Sequence, residues 1–248
     1  MLLPFRCTPD DIQSAGMTCS EEEPCPVYLE IASVGAVVNR IVLAGNIHSA
    51  ETTLYSVLLV SEDGGHTWRE AYPRLRASGL DHIQFFDFQN GWISGGLQSP
   101  LPRDPFLLAS TDGGKTWRER PIFSESTGGA ILQFWFETPA SGTLLIDRMQ
   151  SADASRYELY ESPNGGETWI IRQAGNRPIP IKGRTTPPVW RARADSASKS
   201  YHIEKLESER WKSVASFLVP VGLCKPPALP ALPPPDSSDA PATPPNPQ

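Results

Sequence analysis

Three eight-residue segments of this chain superpose without a gap: Ser61-Glu62-Asp63-Gly64-Gly65-His66-Thr67-Trp68, Ser110-Thr111-Asp112-Gly113-Gly114-Lys115-Thr116-Trp117 and Ser162-Pro163-Asn164-Gly165-Gly166-Glu167-Thr168-Trp169. Their starts lie 49 and 52 residues apart. A fixed period of that size marks a repeat architecture and constrains the fold more than any composition can. Each copy follows a short apolar run (Leu54 to Val60, Phe106 to Ala109, Tyr157 to Tyr160) and opens a second strand-like run at its Trp. The eight residues therefore read as a hairpin turn. Asp63, Asp112 and Asn164 are placed to accept backbone N–H groups across the turn, and the Gly-Gly pair supplies the positive φ that a tight loop needs. Ser61, Ser110, Ser162, Thr67, Thr116 and Thr168 offer hydroxyls to further backbone groups. Trp68, Trp117 and Trp169 each bring an apolar face to bury beneath the hairpin, worth about 2–3 kcal/mol per copy.

Upstream of two of these turns lies a second strand pair. Ile83 to Gly95 and Leu132 to Leu145 both read as strand, polar turn, strand. One repeat is then four short antiparallel strands, a blade. The same template covers a first copy from Tyr28 to Tyr72. It also covers a decayed fourth from Pro188 to Phe217, in which Leu206 to Trp211 replaces the turn motif and keeps only its Trp. The expectation is an all-β, β-propeller-like domain over 27–221, with about four four-stranded blades at 27–75, 80–122, 129–175 and 186–218. An irregular segment over 1–26 precedes it. The 26 prolines and 19 glycines agree with a turn-rich, helix-poor chain. Residues 222–248 are expected to form a disordered tail, because Lys225 to Gln248 holds ten prolines and few large apolar side chains.

Net charge of -6 and the lack of a basic stripe argue against nucleic acid as a partner. The longest apolar run, Val214 to Cys224, is too short to cross a bilayer and contains Pro220. The opening MLLPFRCTPDD has no basic n-region of a secretory signal. Cysteine usage points the other way: Cys7, Cys19, Cys25 and Cys224 suggest disulfides that tie down the termini, with three pairings open.

The S-x-D-x-G-x-T-W pattern resembles the Asp-box, or BNR repeat, of sialidases, sortilin-type receptors, secreted glycoside hydrolases and Ycf48-type photosystem II assembly factors. Phe86-Asp87-Phe88-Gln89-Asn90-Gly91-Trp92 followed by Gly95 looks most like the Ycf48-type blade. The resemblance spans about residues 28 to 217 and implies a propeller, usually in a secreted or periplasmic bacterial protein. It implies no chemistry, since fold and site are separable. The structural positions it marks are Ser61, Asp63, Gly65, Thr67 and Trp68, then Ser110, Asp112, Gly114, Thr116 and Trp117, then Ser162, Asn164, Gly166, Thr168 and Trp169. Such propellers commonly have six or seven blades. Sequence for about four leaves a small closed ring, an arc completed by a second copy, or a truncated frame.

A search for catalytic groups returns little. Sialidases, which share the boxes, also carry an R-I-P motif, three arginines that clamp a carboxylate and a Tyr–Glu pair. Here Arg40 is followed by Ile41-Val42, and Arg148, Arg172 and Arg191 have no triad spacing. Tyr157 and Glu158 are adjacent, so a strand sends them to opposite faces. His48, His66, His82 and His202 are scattered, no run of alternating carboxylates suits calcium, and no phosphate loop or G-x-S-x-G elbow occurs. No cofactor, metal or catalytic residue is assigned. The reading is a non-enzymatic protein-binding or assembly scaffold outside the cytoplasm, with a glycan-active enzyme as the alternative. The expected partner is a protein, or else a glycan, and a homodimer would complete a ring. Arg74, Arg76 and Arg148 join the aromatic residues as material for a binding face.

Overall fold

The computed structural model describes residues 1–98, 100–149, 155–181, 183 and 188–226. Each of the first three repeats folds as a run of four antiparallel strands in chain order. They are β1 (Cys25–Val37), β2 (Arg40–His48), β3 (Thr53–Ser61) and β4 (Arg69–Glu70); β5 (Ser78–Phe85), β6 (Gly91–Leu97), β7 (Arg103–Ser110) and β8 (Arg118–Pro121); and β9 (Ala130–Phe136), β10 (Gly142–Asp147), β11 (Tyr157–Ser162) and β12 (Ile170–Gly175). The fourth repeat holds β13 (Trp190–Asp195), β14 (Ser200–Glu207) and β15 (Arg210–Leu218). The chain is an all-β, propeller-type repeat protein.

The fourth sheet has three strands where four were expected, and the first has five. The extra strand, β16 (Pro220–Cys224), leaves the fourth repeat and pairs with β1, matching Cys224 to Cys25 and Leu223 to Pro26. Burial explains the choice, because Val221 and Cys224 enter the core of the first sheet. Residues 222–224 thus belong to the sheet rather than to a tail; the rest of the expected tail, from 227 onward, lies outside the described residues. The segment over 1–26, expected to be irregular, contains a helix, α1 (Pro9–Ser14). Thr8 and Asp11 cap it reciprocally in a capping box. Two disulfides fasten this segment, Cys7–Cys224 and Cys19–Cys25.

Three apolar layers fix the order of the sheets. Val42, Ala44, Leu58 and Val60 of the first sheet pack on Leu80, Ile83, Ile93 and Phe106 of the second. Trp92, Leu107 and Ala109 of the second pack on Phe134, Phe136, Leu144 and Ile146 of the third. The opposite face of the first sheet meets the fourth, through Ile203 and Phe217. The spatial order is fourth, first, second, third. Among the described residues no core cluster joins the third sheet to the fourth, and these residues form an arc with one open side.

The phrase from Phe85 to Trp92 has a packing cause. Phe85 ends β5 directly opposite Gly91, and a Cβ at Gly91 would sit 2.5 Å from its ring. The third sheet repeats this with Phe136 opposite Gly142, where the same atom would lie 2.4 Å away. Trp92, next to Gly91, then stacks on Phe136 across the sheet boundary, with centroids 3.7 Å apart and planes 4° from parallel. Gln84 adds a polar bond to that boundary: its amide donates to the Phe136 carbonyl and accepts from the Phe136 N–H, both at 2.8 Å.

Candidate functional site

In each eight-residue turn the side chains bind the turn's own backbone. Ser61 Oγ accepts from Gly65 N–H and donates to Asp63 Oδ1, both at 2.8 Å. Asp63 Oδ1 also accepts from the His66 and Thr67 amides, and Oδ2 from the Thr67 hydroxyl at 2.6 Å. Asp112 repeats the set with Ser110, Lys115 and Thr116. In the third turn Asn164 Oδ1 accepts from Ser162 Oγ and Thr168 N–H, while its Nδ2 donates to the Thr168 hydroxyl at 3.0 Å. The Thr67 hydroxyl, followed by the Thr67 amide, holds the Asp63 carboxyl well below its ordinary value. Burial opposes ionisation of Asp112, but the Thr116 hydroxyl and amide outweigh it and hold the carboxyl at about 2. Trp117 is buried against Phe85, Trp169 packs on Phe136 of its own sheet, and Trp68 packs on Phe217 of the fourth. The difference follows from β1, which ends on Val37 where β5 and β9 end on Phe.

The turns also bind neighbouring sheets. Arg40 of the first sheet donates to the carbonyl of Gly113 at 2.6 Å, and Arg120 of the second donates to the carbonyl of Gly165, which Trp92 Nε1 also reaches at 3.0 Å. Sequence reasoning missed these contacts, which lack any local pattern.

Two adjoining grooves open on this turn face. One, about 560 Å³, runs between the first and second sheets past Arg40, Phe88, Asp112 and Lys115. The other, about 490 Å³, runs between the first and fourth past Asp63, Gly64, Trp190 and Glu207. Val38, Asn39 and Glu62 line both. Val38 is 86% exposed and Phe88 70%.

A second cluster lies where the first strands of the sheets converge. The pairing of β1 with β2 slips at Ala32, that of β5 with β6 at Asp81 and His82, and that of β9 with β10 at Leu132. Such bulges re-aim side chains. The strands around the β5 bulge are held by borrowed acceptors: Leu80 N–H donates to Asn46 Oδ1, His82 N–H to Ser94 Oγ and Ile83 N–H to Ser33 Oγ. Asp81 and His82 keep access to solvent on this inner rim yet have protein packed around most of their surroundings, which desolvates them. Burial, then the negative charge of Glu30, pushes the Asp81 carboxyl up to about 6, while burial lowers the His82 imidazole. Neither residue was assigned a role from sequence.

The Tyr–Glu pair also differs from the one weighed in the sequence. Tyr160, two residues from Glu158 and so on the same face, donates to its carboxylate at 2.6 Å, and Arg148 lies 3.4 Å from that carboxylate. Burial and the Glu158 bond raise the Tyr160 phenol, the wrong direction for a nucleophile. Arg148, Arg172 and Arg191 pair separately with Glu158, Glu161 and Glu204 and form no clamp. Arg74 pairs with Glu70, and Arg76 with Asp10 and Asp11. Among the described residues no group of three His, Cys, Asp or Glu side chains is placed to hold a metal ion.

Residues 108–119, the second turn, match the family model of the BNR/Asp-box repeat. No curated protein matches the chain. Among solved structures it is similar to YCF48 bound to a D1 peptide, at 16% identity and TM-score 0.42, over 86% of this chain and 60% of that one. It is similar to YCF48 from Cyanidioschyzon merolae at 19% identity and TM-score 0.39, over 77% of this chain and 56% of the other. A GH74 xyloglucanase from Xanthomonas campestris resembles it at 22% identity and TM-score 0.40, over 56% of this chain and 20% of the enzyme. The chain spans 60% and 56% of the two YCF48 structures.

Proposed function

We propose that this chain is a non-catalytic, extracytoplasmic scaffold that holds a polypeptide partner across its Asp-box face. The observation that carries the reading is the pair of adjoining grooves there, with Val38 and Phe88 standing exposed at their rims. Large apolar side chains displayed at hairpin tips beside polar grooves suit a protein surface better than a small solute. Two disulfides with no free thiol support an oxidising compartment. No helix among the described residues is long and apolar enough to cross a membrane.

Selection from a displayed peptide library on the intact protein tests the reading. Peptides that bind the parent should lose binding to Val38→Asp and Phe88→Asp, with the melting temperature of both variants unchanged. Peptides that ignore both substitutions would place the binding surface elsewhere and sink the proposal.

A further inference from the structure

The three Asp-boxes differ in one respect that their shared motif hides. The first box glycine is enclosed in the second and third sheets and open in the first. A Cβ placed on Gly113 would lie 2.5 Å from the Phe88 carbonyl oxygen and 3.4 Å from Arg40 Nη1; on Gly165, 2.8 Å from the Pro139 carbonyl oxygen and 3.4 Å from Arg120 Nη1. On Gly64 it would meet nothing within 4 Å.

Hydrogen bonding follows the same division. Gly113 N–H donates to the Gln89 carbonyl at 2.7 Å and Gly165 N–H to the Ala140 carbonyl at 2.6 Å. Both acceptors belong to the turn between the first two strands of the sheet, Phe86–Asn90 or Glu137–Ser141. In the first sheet that turn is only Val38–Asn39 and stops short. The carbonyls divide likewise: Gly113 O and Gly165 O each accept a guanidinium N–H from the preceding sheet, at 2.6 and 2.5 Å. The sheet that precedes the first in space is the fourth; its Val214 lies against the next glycine, Gly65, and no arginine of it reaches Gly64 among the described residues. Among the described residues neither polar group of the Gly64 backbone has a partner.

We infer that the groove at the first Asp-box is a receptor for an arginine side chain supplied by the partner, which would occupy at Gly64 the place that Arg40 and Arg120 occupy at Gly113 and Gly165. The inference rests on the polypeptide-binding reading above and names the residue that the groove selects. Three features make the surroundings suitable. The chain's own template couples the carbonyl contact to a carboxylate, since Arg40 also bonds Glu62 and Arg120 also meets Glu167. This groove is lined by Glu62, Asp63 and Glu207; Glu62 is shared with Arg40 and Arg69, Glu207 with Lys205 and Lys212, and Asp63 is held by its own turn, so an incoming guanidinium would share or displace these exposed pairs. Trp190, whose ring already carries the Lys205 ammonium 5.7 Å from its centroid, offers an aromatic surface on which a guanidinium can replace that cation. A charged fork of N–H donors can serve carbonyl and carboxylate together, which a lysine ammonium does less well for want of the planar fork and a urea group less well for want of charge, with one NH2 replaced by an acceptor oxygen.

Titration of the intact, isotopically labelled protein with N-acetyl-arginine amide tests this by NMR. N-acetyl-lysine amide and N-acetyl-citrulline amide serve as the charge and shape controls. The Gly64 amide and Trp190 indole resonances should move together with a Kd of about 1–10 mM, as befits one side chain. Gly113 and Gly165 should stay fixed, and lysine and citrulline should each bind several-fold more weakly than arginine. Glu207→Gln should weaken the arginine complex about threefold, the effect of one partly screened charge, without lowering the melting temperature. A Gly64 resonance that ignores all three compounds, or follows lysine as well as arginine, overturns the inference. If library peptides still require Val38 and Phe88 but show no need for arginine, only this inference falls. If no peptide requires Val38 or Phe88, the underlying reading falls, whatever the free arginine amide does.

Discussion

Asp112 and Asn164 hold the same turn with different chemistry, and the comparison isolates what the charge contributes. The Asp112 carboxylate accepts from two amides and two hydroxyls; Asn164 keeps the Ser162 and Thr168 contacts and lacks the amide bond that Lys115 makes in the second turn. Asp112→Ala should destabilise the protein by about 1–3 kcal/mol in chemical denaturation, through turn donors left without an acceptor. Because the folded state holds this carboxyl at about 2, below its ordinary 3.8, the stabilisation is complete above about pH 4 and fades as the pH falls toward 2. Asp81 has the opposite sign. Its carboxyl is raised to about 6 in the folded state, so its ionisation works against the fold as pH rises from about 4 through 6. Asp81→Asn should therefore raise the melting temperature at pH 7.5 and change it little at pH 4; an equal shift at both would show that the carboxylate's charge is not the cause. The box was legible in the sequence because all its donors and acceptors lie within eight residues. Asp81 was not, since its exposure on the inner rim comes from a slip of register between β5 and β6 that no local pattern announces.

At the level of strands and sheets, the boundary between the second and third blades depends on one side chain that imitates a backbone. Gln84 pairs with both polar groups of Phe136, in the manner of a residue on a neighbouring strand. Gln84→Ala should cost about 2–4 kcal/mol, because a buried N–H and a buried carbonyl lose their partners together. Gly142→Ala should also destabilise, by about 1–3 kcal/mol, since its Cβ would meet the Phe136 ring that Trp92 stacks upon. Denaturation curves for the two single variants and their double would be sub-additive if both act through that stack. The turn glycine was visible in the sequence at matching places in two repeats, whereas the stacking partner of Trp92 was not, because it belongs to the next repeat. The fate of Pro220–Cys224 was equally hidden. Its composition suits an edge strand or a tail, and its pairing with β1 is decided by Val221 and Cys224 entering a core built more than 150 residues earlier in the chain.

For the molecule as a whole, the two sides of the opening differ from the faces inside the arc. In the second sheet the face toward the third carries Gln84, Trp92 and Ala109 in one row. The corresponding row of the third sheet, on its free side, is Trp135, Thr143 and Glu161, with Glu161 paired to Arg172 and Trp135 covered in part by the chain at Gly183. On the fourth sheet Ile203 and Tyr201 face the first, so alternation turns Glu204, Arg191 and Arg193 outward, where they pair. Charged outer faces are how terminal repeats of open arrays stay soluble. Light scattering on the full chain should accordingly give a monomer whose mass does not rise with concentration. A stable dimer would mean that these two faces meet in a completed ring. Four repeats could be read from the sequence, but closure could not, because it depends on which faces are left uncovered.

The Cys7–Cys224 bond closes a loop over nearly all the folded chain, its ends 217 positions apart in sequence. In the chain-entropy view it restrains the unfolded ensemble by about 5 kcal/mol, against about 2 kcal/mol for the short Cys19–Cys25 loop. Its mechanical meaning is separate. A pull applied through the segment beyond Lys225 reaches Cys224 first, and from there a covalent bond carries it to Cys7 beside α1, while β16 loads its ladder with β1 along the strands. Tension thus enters the arc at the first blade, which passes it to the fourth on one side and the second on the other, and reaches the third blade last. Oxidised, the protein can serve as an anchor on a taut tether; reduced, the same pull can strip β16 away and expose the core it covers.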